Sequence, residues 1–227
     1  MTLVELIERF RRDADDLANP PLWDEDDILA NIASAQDEFC RLTGGLRDST
    51  SSITQIAVAP SNVFVSHSSR IMTIRAAKRL SDHAEIRVLN IANLPLHVRP
   101  PDYGISREVR LDATTGELFA VVVGIEEKKL RLVEIPIVSD TIALTVDRLP
   151  LVRPTDVNTH SLEIDEEFHL DLLDWVKYLA YNVDDSEIND PDKAERHRGT
   201  FEKRCASIRL RRDALKHRHR VVAYGGL

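Results

Sequence analysis

Cysteine is scarce in this sequence, and its two cysteines, Cys40 and Cys205, fall near opposite ends of the 227-residue chain. Two such residues cannot form the disulfide framework of a small secreted domain, which excludes that class of protein. A chain of this length buries about 70% of its unfolded surface on folding, so its stability requires neither a disulfide nor a metal. We therefore expect synthesis in a reducing cytoplasm and no cofactor.

A basic N-terminal segment and long apolar runs are also lacking. The sequence opens on Met1-Thr2-Leu3-Val4-Glu5, whereas a secretory signal requires basic residues followed by an apolar run. The longest apolar stretches, such as residues 118–123, are too short to cross a bilayer. These features predict a chain with no export signal and no membrane span.

Positive charge is concentrated in one stretch near the C-terminus. The net charge of the chain is −8, but eight basic residues face a single acid between Lys203 and Arg220, a net charge of +7. The rest of the chain therefore carries −15. An acidic body with a basic end favours binding to something negative: a protein surface, a nucleic acid or an acidic patch on another copy of the chain.

Helical periodicity appears at both ends of the sequence. Apolar residues at helical spacing predict a first helix over residues 2–18, begun by a capping box of Thr2 and Glu5, and a second from an N-cap at Asp24 to about Thr43. Helical spacing returns from Glu166, with Asp165 as its N-cap, and again from Pro191 to about His217, after an N-cap at Asp190. The first pair forms a hairpin that cannot bury both apolar stripes by itself.

Between these helices the period changes to two, which is typical of strands. The pattern predicts seven short strands, at residues 53–58, 63–65, 71–77, 86–91, 118–123, 130–134 and 141–146. The clearest hairpin turns at residues 126–129, and a proline-containing stretch at 94–107 predicts an irregular loop.

The order of these elements predicts an α+β fold in which the N- and C-terminal helices form one bundle that carries an inserted antiparallel β-sandwich or barrel. We place the N-terminal helical hairpin at residues 1–48, the β-module at 49–158 and the C-terminal helices with the basic end at 159–227.

No pattern typical of an active site or a metal site occurs. The acids at 24–27 are favoured at a helix start by capping and the helix dipole, and the acidic stretch at 184–195 lacks the glycine and the final acid of a calcium loop. His197, His217 and His219 lack nearby cysteine ligands. The other histidines have no paired nucleophile, so we expect a protein that is not an enzyme and that holds no metal. Trp23 and Trp175 are interpreted as core residues.

Several segments resemble the head-to-tail adaptor, or tail tubular, family of short-tailed bacteriophages, in which a helical bundle carries an inserted β-sandwich. The segments that carry the resemblance are ELIERFRRD at 5–13, PLWDED at 21–26, AQDEFC at 35–40, LRDS at 46–49, VDRLPL at 146–151, EFH at 167–169, YLAY at 178–181 and DPDKAE at 190–195, leading to Phe201.

This resemblance implies a structural protein of the virion neck. It implies a homo-oligomeric ring of twelve copies that joins the portal protein to the tail nozzle or tube and lets genomic DNA pass through its lumen without reading it. An acidic wall suits such a conduit, because it repels DNA phosphates.

The basic end is the candidate surface for portal binding, since arginine forms bidentate pairs with carboxylates. Its residues are Arg204, Arg209, Arg211, Arg212, Lys216, Arg218 and Arg220. The alternative is a nucleic-acid-binding protein that contacts DNA through the same arginine-rich helix.

Overall fold

A computed structural model describes residues 1–93, 115–157, 161–183 and 189–217. The chain divides into two compact units: a helical unit of residues 1–46 and 149–227, and a β-unit of residues 47–148. The predicted α+β class, with helices from both ends of the sequence and strands between them, is confirmed. The predicted loop at 94–107 and residues 184–188 of the acidic stretch lie outside the described residues.

The described part of the helical unit contains four α-helices: α1 (Leu3–Ala14), α2 (Glu25–Thr43), α3 (His169–Tyr181) and α4 (Pro191–His217). Helix α3 runs in the same direction as α1, because Lys177 near its end bonds Asp13 near the end of α1, with Nζ 2.7 Å from Oδ2. Helix α4 runs the opposite way along α3, where His197 and Arg204 meet acids of α3.

The start of α1 follows the prediction and its end does not. The Thr2 side chain accepts from the Glu5 backbone N–H, and the Glu5 side chain accepts from the Thr2 N–H, which confirms the capping box. The helix ends at Ala14 and not at residue 18, because Asp15 takes a left-handed conformation with φ of 57°. The Asp16 carboxylate then accepts from Arg11 and from the Leu22 backbone N–H, which fixes the loop to α2.

Trp23 joins the two halves of the helical unit. Its indole N–H donates to the Ala180 carbonyl at 3.2 Å, and its ring meets Phe10 and Tyr181 edge to face. The predicted core position of this tryptophan is confirmed. Trp175 is partly buried against Tyr178 and Phe201, which agrees with its predicted place on the apolar face of α3.

The described residues of the β-unit form ten strands, several of them very short. They are β1 (Leu46–Asp48), β2 (Gln55–Val58), β3 (Phe64–Ser66), β4 (Ile71–Arg79), β5 (Glu85–Asn90), β6 (Thr115–Gly116), β7 (Ala120–Val123), β8 (Lys129–Val133), β9 (Ile135–Pro136) and β10 (Asp140–Arg148). All seven predicted strands have a counterpart, whereas β1, β6 and β9 are too short to show a period of two.

The principal sheet is curled into a half-barrel with the strand order β1-β10-β4-β5-β7-β8-β3, and β2 also pairs with β10. One pairing in it differs from the antiparallel arrangement that we predicted: β5 and β7 are parallel, with Arg87 opposite Ala120. A parallel pair requires a long crossover, and the chain between residues 90 and 120 supplies it. The predicted hairpin of β7 and β8 is present and antiparallel.

Two acids form ion pairs where the chain enters and leaves the β-unit, on the neighbouring strands β1 and β10. Asp48 accepts from the backbone N–H groups of Thr50 and Ser51 and from the Arg148 guanidinium. Burial acts to raise the pKa of Asp48, but these hydrogen bonds outweigh it and hold the pKa well below its ordinary value. Asp147 is also buried and accepts from Arg47 and Arg75. These bonds tie the two strands together at the base of the unit.

Replacing Asp48 with Asn is expected to destabilise the β-unit by about 2 kcal/mol at pH 7, because a buried charge-assisted hydrogen bond to Arg148 is lost. The lowered pKa means that the charge of Asp48 stabilises the fold above about pH 4, and that this contribution declines as the pH falls. Native-state hydrogen exchange of β10 amides measures the free energy of opening of the β-unit. The difference in this free energy between wild type and variant should decrease as the pH falls from about 5 to about 3. A difference that stays constant over this range contradicts the assignment.

Candidate interaction surface

Helix α4 presents the basic end that the sequence singled out. The helix begins where predicted, because the Asp190 carboxylate accepts from the Lys193 backbone N–H at 3.0 Å. A buried stripe holds it against the bundle: Ala194, Phe201, Cys205 and Ile208. The remaining faces of α4 are therefore available for charged side chains.

Arg204 is bound to the neighbouring helix. Its guanidinium donates to Asp171 Oδ1 and Asp174 Oδ2 on α3, both at 2.9 Å. Burial raises the pKa of Asp171, although Arg204 opposes the shift. His197, one turn before Phe201, contacts the other oxygen of Asp174 at 2.9 Å. Arg204 thus joins α4 to α3.

Arg212 closes the end of another helix. Its guanidinium donates to the carbonyl oxygens of Thr43 and Gly45, at 3.3 and 3.1 Å, just where α2 ends. The last carbonyls of a helix have no partner within the helix and carry partial negative charge, so a cation is favoured there. The same guanidinium lies 6.0 Å from the centre of the Phe168 ring. Arg212 is therefore a capping residue for α2.

Lys203, Leu210 and Arg211 lie on the side of α4 that faces away from the bundle, and we call them the cationic face. All three are exposed, and 71% of Leu210 is accessible to solvent. Within the described part of the chain, the side chains of Lys203 and Arg211 have no ion-pair or hydrogen-bond partner. On this side of the helix, two small residues lie between Lys203 and Leu210: Ala206 and Ser207.

Arg209 and Arg211 lie on different sides of α4, because two residues correspond to 200° of rotation about the helix axis. Arg209 is exposed and lies 4.0 Å from Asp213, one turn later, which makes a weak surface pair. The backbone of α4 is described as far as His217. The predicted residues Arg218 and Arg220 lie outside the described residues, and the contacts of the Lys216 side chain do too.

The opposite end of the helical unit is acidic and partly apolar. Leu17 and Leu22, on the loop between α1 and α2, are 70% and 47% exposed. The acids 24–27 follow at the start of α2 and are exposed. Asp24 stands at the N-cap position but makes no side-chain capping hydrogen bond, which corrects the prediction that it caps α2. We call Leu17, Leu22 and residues 24–27 the acidic end.

The chain has two thiols, and both are buried and free. Burial raises the pKa of the Cys205 thiol to about 12, and Cys40 is also buried and free. Within the described ranges, no group of three or more His, Cys, Asp or Glu residues is placed to hold a metal ion. None of the described helices combines the length and apolar character that crossing a membrane requires.

Sequence reasoning treated the seven predicted cations as one surface, whereas the structure separates them. It brings Arg204 to α3 and Arg212 to α2, and leaves Arg209 and Arg211 exposed on different sides of α4. The signal for Arg212 was present: it follows Phe201, Cys205 and Ile208 at spacings of four, three and four, which continues the buried stripe. The acids that bind Arg204 carried no comparable signal.

A family model described as SU10 adaptor protein matches residues 1–222 of the chain. No curated protein matches it.

Replacing Arg212 with Ala is expected to lower the free energy of unfolding of the helical unit by about 1–2 kcal/mol, because carbonyls at the end of α2 lose a cationic donor. Replacing the neighbouring Arg211 with Ala is the matched control and should change it by less than about 0.5 kcal/mol. Urea denaturation followed by tryptophan fluorescence measures both, since Trp23 and Trp175 lie in this unit. Equal losses for the two variants contradict the capping role.

Both cysteines are expected to resist alkylation in the folded protein. The Cys205 thiol remains protonated at pH 8, because its pKa is about 12, and the thiolate is the reactive species. Mass spectrometry after iodoacetamide treatment should show modification that accelerates with urea in step with unfolding. Rapid modification of Cys205 in buffer would show that the α3–α4 packing opens readily.

Proposed function

Because the chain belongs to the SU10 adaptor protein family, and is thus a structural adaptor of a bacteriophage, we propose that it forms the ring that joins the portal protein to the tail nozzle or tube. The match over residues 1–222 carries this proposal, since it includes both units and the whole described part of α4. The protein acts as a virion component in the phage neck and performs no catalysis.

The proposed ring surrounds the path of the genome. Outside the basic end the chain carries a net charge of −15, and negative surface repels DNA phosphates at short range. A basic lumen would instead hold DNA through counterion release and slow its passage. The acidic excess therefore supports a conduit through which genomic DNA slides without sequence recognition.

We assign portal docking to the basic end of α4 and the residues that follow it. Arg204 and Arg212 already bond within the chain, so the contact falls to the other five predicted cations: Arg209, Arg211, Lys216, Arg218 and Arg220. Arginine suits this contact, because its planar guanidinium pairs bidentately with carboxylates on a partner surface. An acidic rim on the portal is the complementary surface.

Reversing charge with Arg209→Glu and Lys216→Glu together is expected to abolish docking on the portal protein of the same phage while leaving the subunit folded. Arg209 is exposed and takes no part in the buried stripe or in the bonds of Arg204 and Arg212. Electron microscopy of portal mixed with wild-type subunit should show an added ring, and the double variant should leave the portal bare. Replacing Lys78, which is exposed on β4, with Glu is the control and should leave docking unchanged.

The same double variant also tests the alternative function. A nucleic-acid-binding protein would bind duplex DNA with an affinity that falls steeply with salt, and the double variant would lose that affinity. An adaptor retains portal docking in the absence of DNA. Docking by the double variant, together with salt-sensitive DNA binding by the wild type, would replace the proposal with this alternative.

A further inference from the structure

We infer that the cationic face of one copy of this chain docks on the acidic end of the next copy, so that neighbouring subunits join head to tail through their helical units. The inference rests on the proposed ring, and it identifies the two surfaces that would build it. Each surface combines exposed leucine side chains with unpaired charges, and the charges of the two surfaces have opposite sign.

The cationic face has the composition of a contact surface. Leu210 is 71% exposed between Lys203 and Arg211, whose charges no described residue neutralises. An exposed leucine alone is ordinary on a protein surface. Here the leucine stands between two unpaired cations, and the small residues Ala206 and Ser207 beside it allow another backbone to approach closely.

The acidic end has the matching composition. Leu17 and Leu22 expose 70% and 47% of their surface on a loop that the Asp16 hydrogen bond holds in place. The four acids at 24–27 follow directly, and none of their side chains has an ion-pair or hydrogen-bond partner within the described residues. Apolar area next to negative charge complements apolar area next to positive charge.

The two surfaces cannot meet within one copy. The acidic end lies where α1 ends and α2 begins, near the start of α4, since Trp23 bonds Ala180 and the Asp190 backbone N–H bonds the Tyr181 carbonyl. Leu210 and Arg211 lie beside Arg212, which marks the other end of α2. Complementary surfaces at opposite ends of a unit make a heterologous contact, which repeats from copy to copy and closes into a ring when the rotation permits.

Two variants of the full chain test the contact by blocking one surface each. The first variant, with a blocked acidic end, carries Asp26→Lys and Asp27→Lys. The second, with a blocked cationic face, carries Lys203→Ala, Leu210→Ala and Arg211→Ala, and alanine is compatible with helix α4. Analytical ultracentrifugation of the wild type should show a mass that rises with concentration beyond the dimer. Each variant alone should stay monomeric at concentrations where the wild type associates, because like charges meet or the apolar contact is lost. Its apparent dissociation constant for self-association should rise by about tenfold or more.

Mixing the two variants gives the decisive measurement. The intact cationic face of the first should bind the intact acidic end of the second, and the contact cannot propagate, so a heterodimer of defined mass should form. Tryptophan fluorescence confirms that each variant is folded, and a variant with Lys78→Ala and Arg87→Ala, both exposed in the β-unit, should associate like the wild type.

A mixture that stays monomeric, a variant that associates alone like the wild type, or a wild type that is monomeric at every concentration overturns the inference. Portal docking separates this failure from failure of the proposed function. If the blocked variants still decorate the portal with a complete ring, the adaptor role stands and the contact between copies lies elsewhere.

Discussion

The helical unit depends on a hydrophobic seam between residues that the β-unit separates in sequence. Helices α1 and α2 cannot cover their apolar stripes alone. Phe168, just before α3, packs against Phe39, Tyr181 of α3 packs against Trp23, and Phe201 of α4 packs against Trp175. Burial of several such side chains is worth about 2 kcal/mol each, which exceeds any single hydrogen bond at the surface. This hydrophobic seam fixes the position of α4 and therefore the positions of the cationic side chains that α4 carries.

The sequence predicted the helices well because their ends carry local chemical signals. The Thr2–Glu5 capping box and the Asp190-Pro191 start act within one turn, so they are readable without knowledge of the fold. The early end of α1 was missed, because the left-handed conformation of Asp15 goes with the loop contacts of Asp16. The parallel pairing of β5 with β7 was missed as well, since alternation of apolar residues shows that a strand exists and says nothing of its partner.

The candidate surface was only partly predictable for a related reason. Composition located the basic end, but net charge does not reveal which cations have partners. Helical phase could have assigned Arg212 to the buried side of α4, because it continues the spacing of Cys205 and Ile208. The bond of Arg204 to Asp171 and Asp174 depends on how α3 packs, which required the structure. Four of the seven predicted cations have described side-chain surroundings, and these four divide evenly between internal and exposed roles.

The division of the α4 cations into internal and exposed groups affects the energetics of assembly. Copies whose bodies carry −15 repel one another, and this repulsion acts over the Debye length of about 8–10 Å in physiological salt. The contact between the cationic face and the acidic end acts at shorter range. Its stabilisation by apolar burial is not weakened by salt. Repulsion between the acidic subunits therefore opposes non-specific aggregation. Only the contact between the cationic face and the acidic end supplies enough favourable binding free energy to overcome it. The same acidic excess thus serves the selectivity of assembly and the passage of DNA.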